Sequence, residues 1–149
     1  MSTRIICAVN DVVKEDTNLQ SEHGLSFWIQ TEHGTVLFDT GQTPEVLSHN
    51  LKELRLSFQD IDMLALSHAH YDHTGGLEAV LSNNTTLTLF AHPDIFRPRY
   101  SLRQGEYQSI GLAYNQSSLS QQIKLNLNDA PTEIVPNLWT TGEISERPE

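Results

Sequence analysis

Residues 63–76 read MLALSHAHYDHTGG and give the strongest indication of both fold and chemistry in this sequence. The first four residues are apolar, which is typical of a strand buried on both faces of an α/β sheet. Three of the seven histidines follow between positions 68 and 73, with an aspartate among them. A glycine pair ends the loop, and a short helix is expected over 77–81. The pattern predicts a loop of imidazoles and a carboxylate at the carboxyl end of a strand, where α/β proteins place their chemistry.

The spacing of these side chains predicts a site for two metal ions. Residues two apart in an extended loop point the same way, so His68 and His70 present their imidazoles to one cation. Asp72 and His73 lie past the bend and face a second cation. Imidazole with carboxylate suits zinc, and iron or manganese remain alternatives. A bound metal makes water acidic enough to attack near neutral pH, so Asp72 is the predicted catalytic residue, holding one metal and orienting the nucleophile. The structural alternative is that these histidines only cap a turn.

The sequence before and after residues 63–76 contains signals for both strands and helices. Thr43-Pro44-Glu45 is typical of a helix start, and leucines at 47, 51 and 54 continue at helical spacing, so a helix is expected over Pro44–Leu54. Between 97 and 122 the polar sequence predicts a long loop or a short helix near 118–122. Strands are expected over Ile5–Val9, 25–30, 35–38, 63–66 and 86–91, with a last hairpin of 132–135 and 138–141.

Composition limits the classes of partner. The chain has 149 residues, enough for one domain, and a formal net charge of −10 with only nine lysines and arginines. Nucleic acid is therefore not an expected partner, because phosphate binding needs a basic face.

The single cysteine, Cys7, excludes an intrachain disulfide and lies in an apolar run, which predicts a buried thiol. No membrane-length apolar stretch or signal peptide is visible, so a cytoplasmic protein without a membrane partner is expected.

At this point SHAHYDHTGG resembles the HxHxDH signature of the metallo-β-lactamase superfamily. The FDTG turn at 38–41 and the helix after it stand in the order that family uses. More narrowly, EHGLS at 22–26, AHPDIF at 91–96 and WTTGEI at 139–144 are similar to the branch of dihydropterin ribofuranosylaminobenzene phosphate synthase-like proteins. The resemblance implies an αββα sandwich built from two similar halves. Residues 1–149 are expected to form the N-terminal half only, an α/β (α+β) unit with a mixed β-sheet and flanking helices.

The resemblance also implies that further metal ligands come from the second half of the fold. No histidine follows His92 in this sequence, and the resemblance places His92 in a non-ligand position. A catalytic zinc normally holds three protein ligands plus water, whereas the HxHxDH segment offers only two for each metal. A complete dinuclear centre is therefore not expected from this chain.

The expected activity is that of a metallohydrolase in which a metal-bound hydroxide attacks an ester, phosphoester or lactone-type bond of a small molecule. It is expected to be incomplete without the missing half, on this chain or another. The alternative, from a different class, is a non-enzymatic metal-binding or dimerising module of the same fold. In that case the sheet face left bare by the missing half would favour a homodimer.

Several residues outside the cluster are weaker candidates. Asp39 ends a strand and is expected to accept a hydrogen bond from a ligating imidazole, with a simple turn aspartate as the alternative. His23 precedes a strand that neighbours the site, which leaves open a substrate-side contact or a structural histidine. His33 and His49 are expected to be exposed to solvent.

Two further sets of residues complete the sequence-based expectations. Trp28 and Trp139 lie in apolar strand contexts, which predicts that both belong to the core, with a pocket position as the alternative. The arginines at 97, 99 and 103 form the one local basic cluster. They are expected either to meet an anionic substrate group or to form a solvated loop.

Overall fold

The computed structural model describes residues 2–145, which form a mixed sheet with helices on one face. In chain order the elements are β1 (Arg4–Val9), β2 (Ser26–Thr31), β3 (Gly34–Phe38), α1 (Pro44–Glu53), β4 (Met63–Ala65), α2 (Tyr71–Thr74), α3 (Leu77–Asn83), β5 (Thr88–Ala91), β6 (Tyr100–Arg103), β7 (Glu106–Ser109), α4 (Gln116–Ser120), β8 (Lys124–Leu127), β9 (Thr132–Val135) and β10 (Leu138–Thr140). The expected α/β architecture with a mixed sheet and flanking helices is confirmed. Within residues 2–145, no helix has the length and apolar character needed to cross a membrane.

The main sheet has the strand order β1-β2-β3-β4-β5-β8. β1, β2 and β3 pair antiparallel, whereas β3, β4, β5 and β8 pair parallel. Phe38 at the end of β3 lies opposite Ala65 at the end of β4. Because the carboxyl ends of parallel strands meet at one edge, the residues that follow these two strands come together there, and they build the site described below.

One face of the sheet is closed by α1 and α3. The Thr43 hydroxyl accepts a hydrogen bond from the Val46 N–H at 3.3 Å and so caps α1, as the sequence predicts. Leu47 and Leu51 on α1 are fully buried, and they pack in one cluster with Trp28, Leu64 and other apolar residues of the sheet. Burial of this apolar stripe holds α1 against the sheet, because isolated helices of this length are marginal in water.

The opposite face is only partly covered. Val36, Ala65 and Phe90 pack there against Ile134 and Val135 of the β9–β10 hairpin. An open groove of about 730 Å³ lies between this face and the hairpin, and its rim includes residues of the histidine loop. The second face therefore presents apolar surface beside the candidate site.

The sequence-based prediction missed three strands. β6 and β7 form a hairpin through Gln104 and Gly105, which have φ of 52° and 85°. Both strands have only four residues, most of them exposed, and β7 contains a single apolar residue, so the alternation that indicates a strand is too short to recognise. β8 was also missed, because Lys124–Leu127 is short and lies within a polar region. The short helix expected near 118–122 is present as α4, two residues earlier.

Three predictions of burial are wrong. Cys7 is exposed, because β1 is an edge strand and Cys7 lies on the face that the helices do not cover. Trp139 is 58% exposed and lines the groove, since no element covers that side of β10 within residues 2–145. His49 is half-buried rather than solvated, with its Nε2 2.6 Å from the Asn18 carbonyl oxygen. Trp28 is buried and His33 is exposed, as predicted.

Candidate metal centre

The loop that leaves β4 brings three imidazoles together. The His68 ring centroid lies 4.7 Å from that of His70 and 4.2 Å from that of His73. His70 has an extended backbone and begins α2, so the chain turns there, and a helical turn carries Asp72 and His73 back beside His68. The segment predicted as a loop thus contains a four-residue helix. This turn, rather than an extended course, is what places His73 against His68.

Asp39 lies behind the imidazoles and is completely buried. Its Oδ2 accepts hydrogen bonds from His73 Nδ1 at 2.7 Å and from the Ser67 hydroxyl at 2.7 Å. Its Oδ1 accepts from the Ser67 N–H at 2.8 Å. The predicted hydrogen bond from an imidazole to Asp39 is present, and the donor is His73.

These hydrogen bonds set the tautomers of two imidazoles. The single proton of the Ser67 hydroxyl is used toward Asp39, so this oxygen accepts from His68 Nδ1–H, 2.9 Å away. His73 Nδ1–H donates to Asp39 in the same way. Both rings are therefore held with the Nε2 lone pair available, which is how proteins orient histidines that bind metal. The role of Ser67 was not predicted, because a serine beside a histidine carries no signal without its partner on β3.

His68 has an ionisation favourable for this task. Burial lowers its pKa, and repulsion from neighbouring His73 and His70 lowers it further, against smaller opposing effects of Asp39 and Asp72. The neutral form is the one that binds a metal ion. The packing of the imidazoles thus keeps His68 in its ligating form near neutral pH.

Asp72 lies between two histidines. Its Oδ2 is 3.4 Å from His73 Nε2 and 3.4 Å from His23 Nε2, and its side chain is only 15% exposed. His23 belongs to the EHGLS segment, and its side chain is 69% exposed. Its Nδ1 lies 3.2 Å from Asp11 Oδ1. The structure therefore brings His23 to the histidine cluster, with a carboxylate partner on the loop after β1 that the sequence did not indicate.

The chemical types of the side chains in the cluster are those that bind divalent metal ions. Imidazole nitrogens and one carboxylate suit zinc, and outer carboxylate or hydroxyl partners orient two of the rings. Among residues 2–145, however, no three histidine, cysteine or acidic side chains are already gathered around one point. His68 and His70 are the candidate ligands for one metal, and Asp72 and His73 are those for a second.

His92 lies on the rim of the groove and has a different hydrogen-bonding pattern. Its Nδ1 accepts from the Asp94 N–H at 3.0 Å, which caps the turn Pro93–Phe96. An accepting Nδ1 requires the proton on Nε2, and that buried nitrogen has no hydrogen-bond partner within residues 2–145. In this tautomer neither nitrogen offers a free lone pair.

The three arginines have different surroundings. Arg99 lines the groove and donates to the carbonyl oxygens of Asp94 and Arg97. Arg97 is exposed and lies 3.6 Å from the Asp94 carboxylate, and Arg103 is exposed on β6. Only Arg99 is placed to meet a molecule bound in the groove.

Comparisons with known proteins agree with this geometry. The family model described as the metallo-beta-lactamase superfamily matches residues 21–146. Among solved structures, the Rm3 metallo-beta-lactamase is 19% identical, with a TM-score of 0.54 over 81% of this chain and 45% of that one. MEM-A1, a subclass B3 metallo-beta-lactamase from a soil metagenome library, is also 19% identical, with a TM-score of 0.50 over 78% and 45%. The fold is thus that of the metallo-β-lactamases, and the chain belongs to their superfamily.

A relative of known name supports the narrower resemblance. The 7,8-dihydropterin-6-methyl-4-(beta-D-ribofuranosyl)-aminobenzene-5'-phosphate synthase of Methanocaldococcus jannaschii is 33% identical over 152 residues, 96% of this chain and 51% of that protein. The similarity to the dihydropterin synthase-like branch is therefore confirmed. The chain spans about half the length of this relative. Proteins of the superfamily generally bind divalent metal ions, usually zinc.

Proposed function

We propose that this chain carries the metal-binding part of a cytoplasmic hydrolase that uses two divalent ions, zinc in the first instance, to cleave an ester, phosphoester or lactone-type bond. The observation that carries the proposal is the orientation of His68 and His73. Asp39 and Ser67 hold the Nδ1 proton of both rings, so each Nε2 is free to ligate. A cluster of histidines that merely capped a turn would not need this shared, fully buried carboxylate.

Each residue then has a defined part in the reaction. When bound, the metal ions supply an activated water near neutral pH and polarise the bond under attack. His68 and His70 would hold one ion, and Asp72 and His73 would hold the other. Asp72 would also accept a hydrogen bond from the attacking water and orient it, which makes it the proposed catalytic residue.

The groove beside the cluster supports a small-molecule substrate with an anionic group. Its lining is largely apolar and includes Phe38 and Phe90. The charged or titratable lining residues are His68, His92, Arg99, Asp94 and Glu143. A guanidinium is well suited to bind a phosphate or carboxylate. The name of the synthase relative contains a 5'-phosphate, and a phosphate-bearing substrate is accordingly the first class to test here.

Metal analysis tests the proposal. We expect the metal-free protein to bind Zn²⁺ in calorimetric titration, and His68→Ala and His70→Ala each to weaken binding by roughly 100-fold or more, since loss of even an outer partner costs about 10- to 100-fold. Hydrolysis of p-nitrophenyl phosphodiesters and a simple lactone is measured with the complementary half of the fold supplied as a second polypeptide, and it should fall in parallel. The matched control is His33→Ala, an exposed histidine away from the cluster. Unchanged zinc affinity in the His68 and His70 variants would refute the assignment.

A second function, a dimerising module, is favoured by one observation. The groove face carries exposed apolar side chains, with Trp139 58% and Ile144 64% exposed, and Val36 and Phe90 lie beneath them. Exposed apolar patches of this kind commonly mark protein interaction surfaces. The proposed occupant is a second copy of this chain, which would bury the same face on both subunits.

Light scattering after size exclusion tests the dimer. We expect a dimer at micromolar concentration and a shift to monomer in Trp139→Lys, because a charge at the centre of an apolar interface is costly to bury. Tyr107→Lys is the matched control, since Tyr107 is 78% exposed on the separate β6–β7 hairpin. A wild-type monomer at all concentrations would rule out this second function.

A further inference from the structure

We propose that His23 is a metal ligand, which binds through Nε2 and shares one ion with Asp72 and His73. The inference rests on the proposed function, because it assumes that the histidine cluster binds metal. It adds a ligand from the N-terminal EHGLS segment, which lies outside the HxHxDH stretch. With His23 included, this chain supplies three protein ligands to the second metal position and leaves a fourth for water, as catalytic zinc sites do.

Two distances around Asp72 support His23 as a ligand. The Nε2 atoms of His23 and His73 each lie 3.4 Å from the same carboxylate oxygen, Asp72 Oδ2. This separation is longer than an ordinary hydrogen bond between nitrogen and oxygen. It matches the spacing of two ligand atoms on a tetrahedral zinc, which is about 3.3–3.5 Å for bonds of about 2.0–2.2 Å. Two of the ligand-to-ligand distances of such a site are thus already present.

The orientation of the His23 ring also supports a role as ligand. Its Nδ1 lies 3.2 Å from Asp11 Oδ1, and its Nε2 points to Asp72. His73 has the same arrangement, with Nδ1 on Asp39 and Nε2 toward Asp72. A histidine that binds a metal through one ring nitrogen usually donates the N–H of the other nitrogen to a carboxylate, a carbonyl or water. An ion pair of His23 with Asp11 and Asp72 is the structural alternative, and the experiment below separates it from metal binding.

The backbone on both sides of His23 is fixed against the site. Glu22 Oε1 accepts from the N–H groups of Gln42 and Thr43, which anchors the segment at the start of α1. Gly24 has a φ of 135°, and a Cβ there would lie 2.2 Å from the Asp72 carbonyl oxygen, so the two loops touch through their backbones. The His23 side chain is 69% exposed, so solvent and ions reach its ring.

The test combines Zn²⁺ titration with ¹⁵N NMR of the histidine rings in the full chain. We expect the wild type to bind Zn²⁺, and the Nε2 resonance of His23 to move together with that of His73 while Nδ1 keeps its proton. His23→Gln should weaken Zn²⁺ binding by roughly 100-fold or more, and Asp11→Asn by about 10-fold, as for an outer partner. His33→Gln is the matched control.

The outcomes separate this inference from the proposal beneath it. If His68 and His73 respond to Zn²⁺ but the His23 resonance and the His23→Gln affinity do not, His23 is not a ligand and the metal site stands without it. If no histidine responds and no heat of binding is measured, the metal-site proposal fails and the His23 assignment fails with it. Circular dichroism of His23→Gln checks the fold, which the exposed side chain should leave intact.

Discussion

Replacing Asp39 by alanine should lower the free energy of unfolding by about 3–5 kcal/mol, the range typical for removing one partner of a buried charged network. The carboxylate is completely buried and accepts three hydrogen bonds, from the Ser67 N–H, the Ser67 hydroxyl and His73 Nδ1. Alanine removes the acceptor that these three donors share, and a donor left unpaired away from water costs about 1–3 kcal/mol. Ser67 is exposed, so water replaces part of this loss for its two donors. The φ of 56° at position 39 adds to the loss, because aspartate and asparagine tolerate the left-handed region better than alanine.

The asparagine variant separates stability from metal binding. Asp39→Asn fills the same space and suits the same φ, so it should cost less stability than alanine. Its amide group, however, presents a donor toward His73 Nδ1, and His73 must then move its proton to Nε2. We expect zinc affinity to fall by about 10- to 100-fold even though the protein remains folded.

Urea unfolding and zinc titration of both variants provide the measurement. Asp62→Asn is the matched control, because the Asp62 carboxylate accepts from the Thr35 N–H at 2.8 Å and the amide oxygen of asparagine can replace it. The prediction fails if Asp39→Ala unfolds at the same urea concentration as the wild type. The account of the tautomers fails if Asp39→Asn binds zinc as tightly as the wild type.

Gly75→Ala should also destabilise the fold, by about 3 kcal/mol or more, at the upper end for overpacking. A Cβ at this position would lie 1.8 Å from the Gln42 carbonyl oxygen and 2.7 Å from that of Tyr71. The Gly75 N–H also donates to the Gly41 carbonyl oxygen at 3.0 Å. The glycine pair after the histidines therefore allows α2 to lie directly on the turn that begins at Gly41, and a methyl group would push the two apart.

Gly105→Ala is the informative control for this prediction. Gly75 has an ordinary helical φ of −66°, so its substitution is costly only through lack of space. Gly105 has the opposite combination, a φ of 85° with no atom within 4 Å of a Cβ, so its cost is the conformational term of about 1 kcal/mol. Thermal unfolding should rank Gly75→Ala well below Gly105→Ala. Equal effects would mean that the backbone contact between α2 and the Gly41 turn contributes little.

The sequence predicted best those elements that depend on interactions between residues close together in the chain. α1 was predicted to within one residue, because Thr43, Pro44 and the spaced leucines act within a few positions of each other. The β6–β7 hairpin was missed, because its Gln104-Gly105 turn is a weaker signal than Asn-Gly and its strands are largely exposed. Trp139 was misassigned, since its burial depends on what lies across β10 and local sequence does not report this.

In the candidate site, too, the local features were predicted from the sequence and the long-range contacts were not. The local pattern SHAHYDHTGG after an apolar strand was enough to identify the superfamily and to propose the imidazoles and the carboxylate as ligands, because these residues lie within six positions of each other. The Asp39 contact with His73 spans 34 residues, and the Asp39 contact with Ser67 spans 28. These contacts exist because β3 and β4 pair in parallel and end side by side, and the place of His23 depends on the backbone of Gly24 meeting that of Asp72. Register and close backbone approach are properties of the assembled sheet, and therefore the partners that orient the imidazoles became visible only in three dimensions.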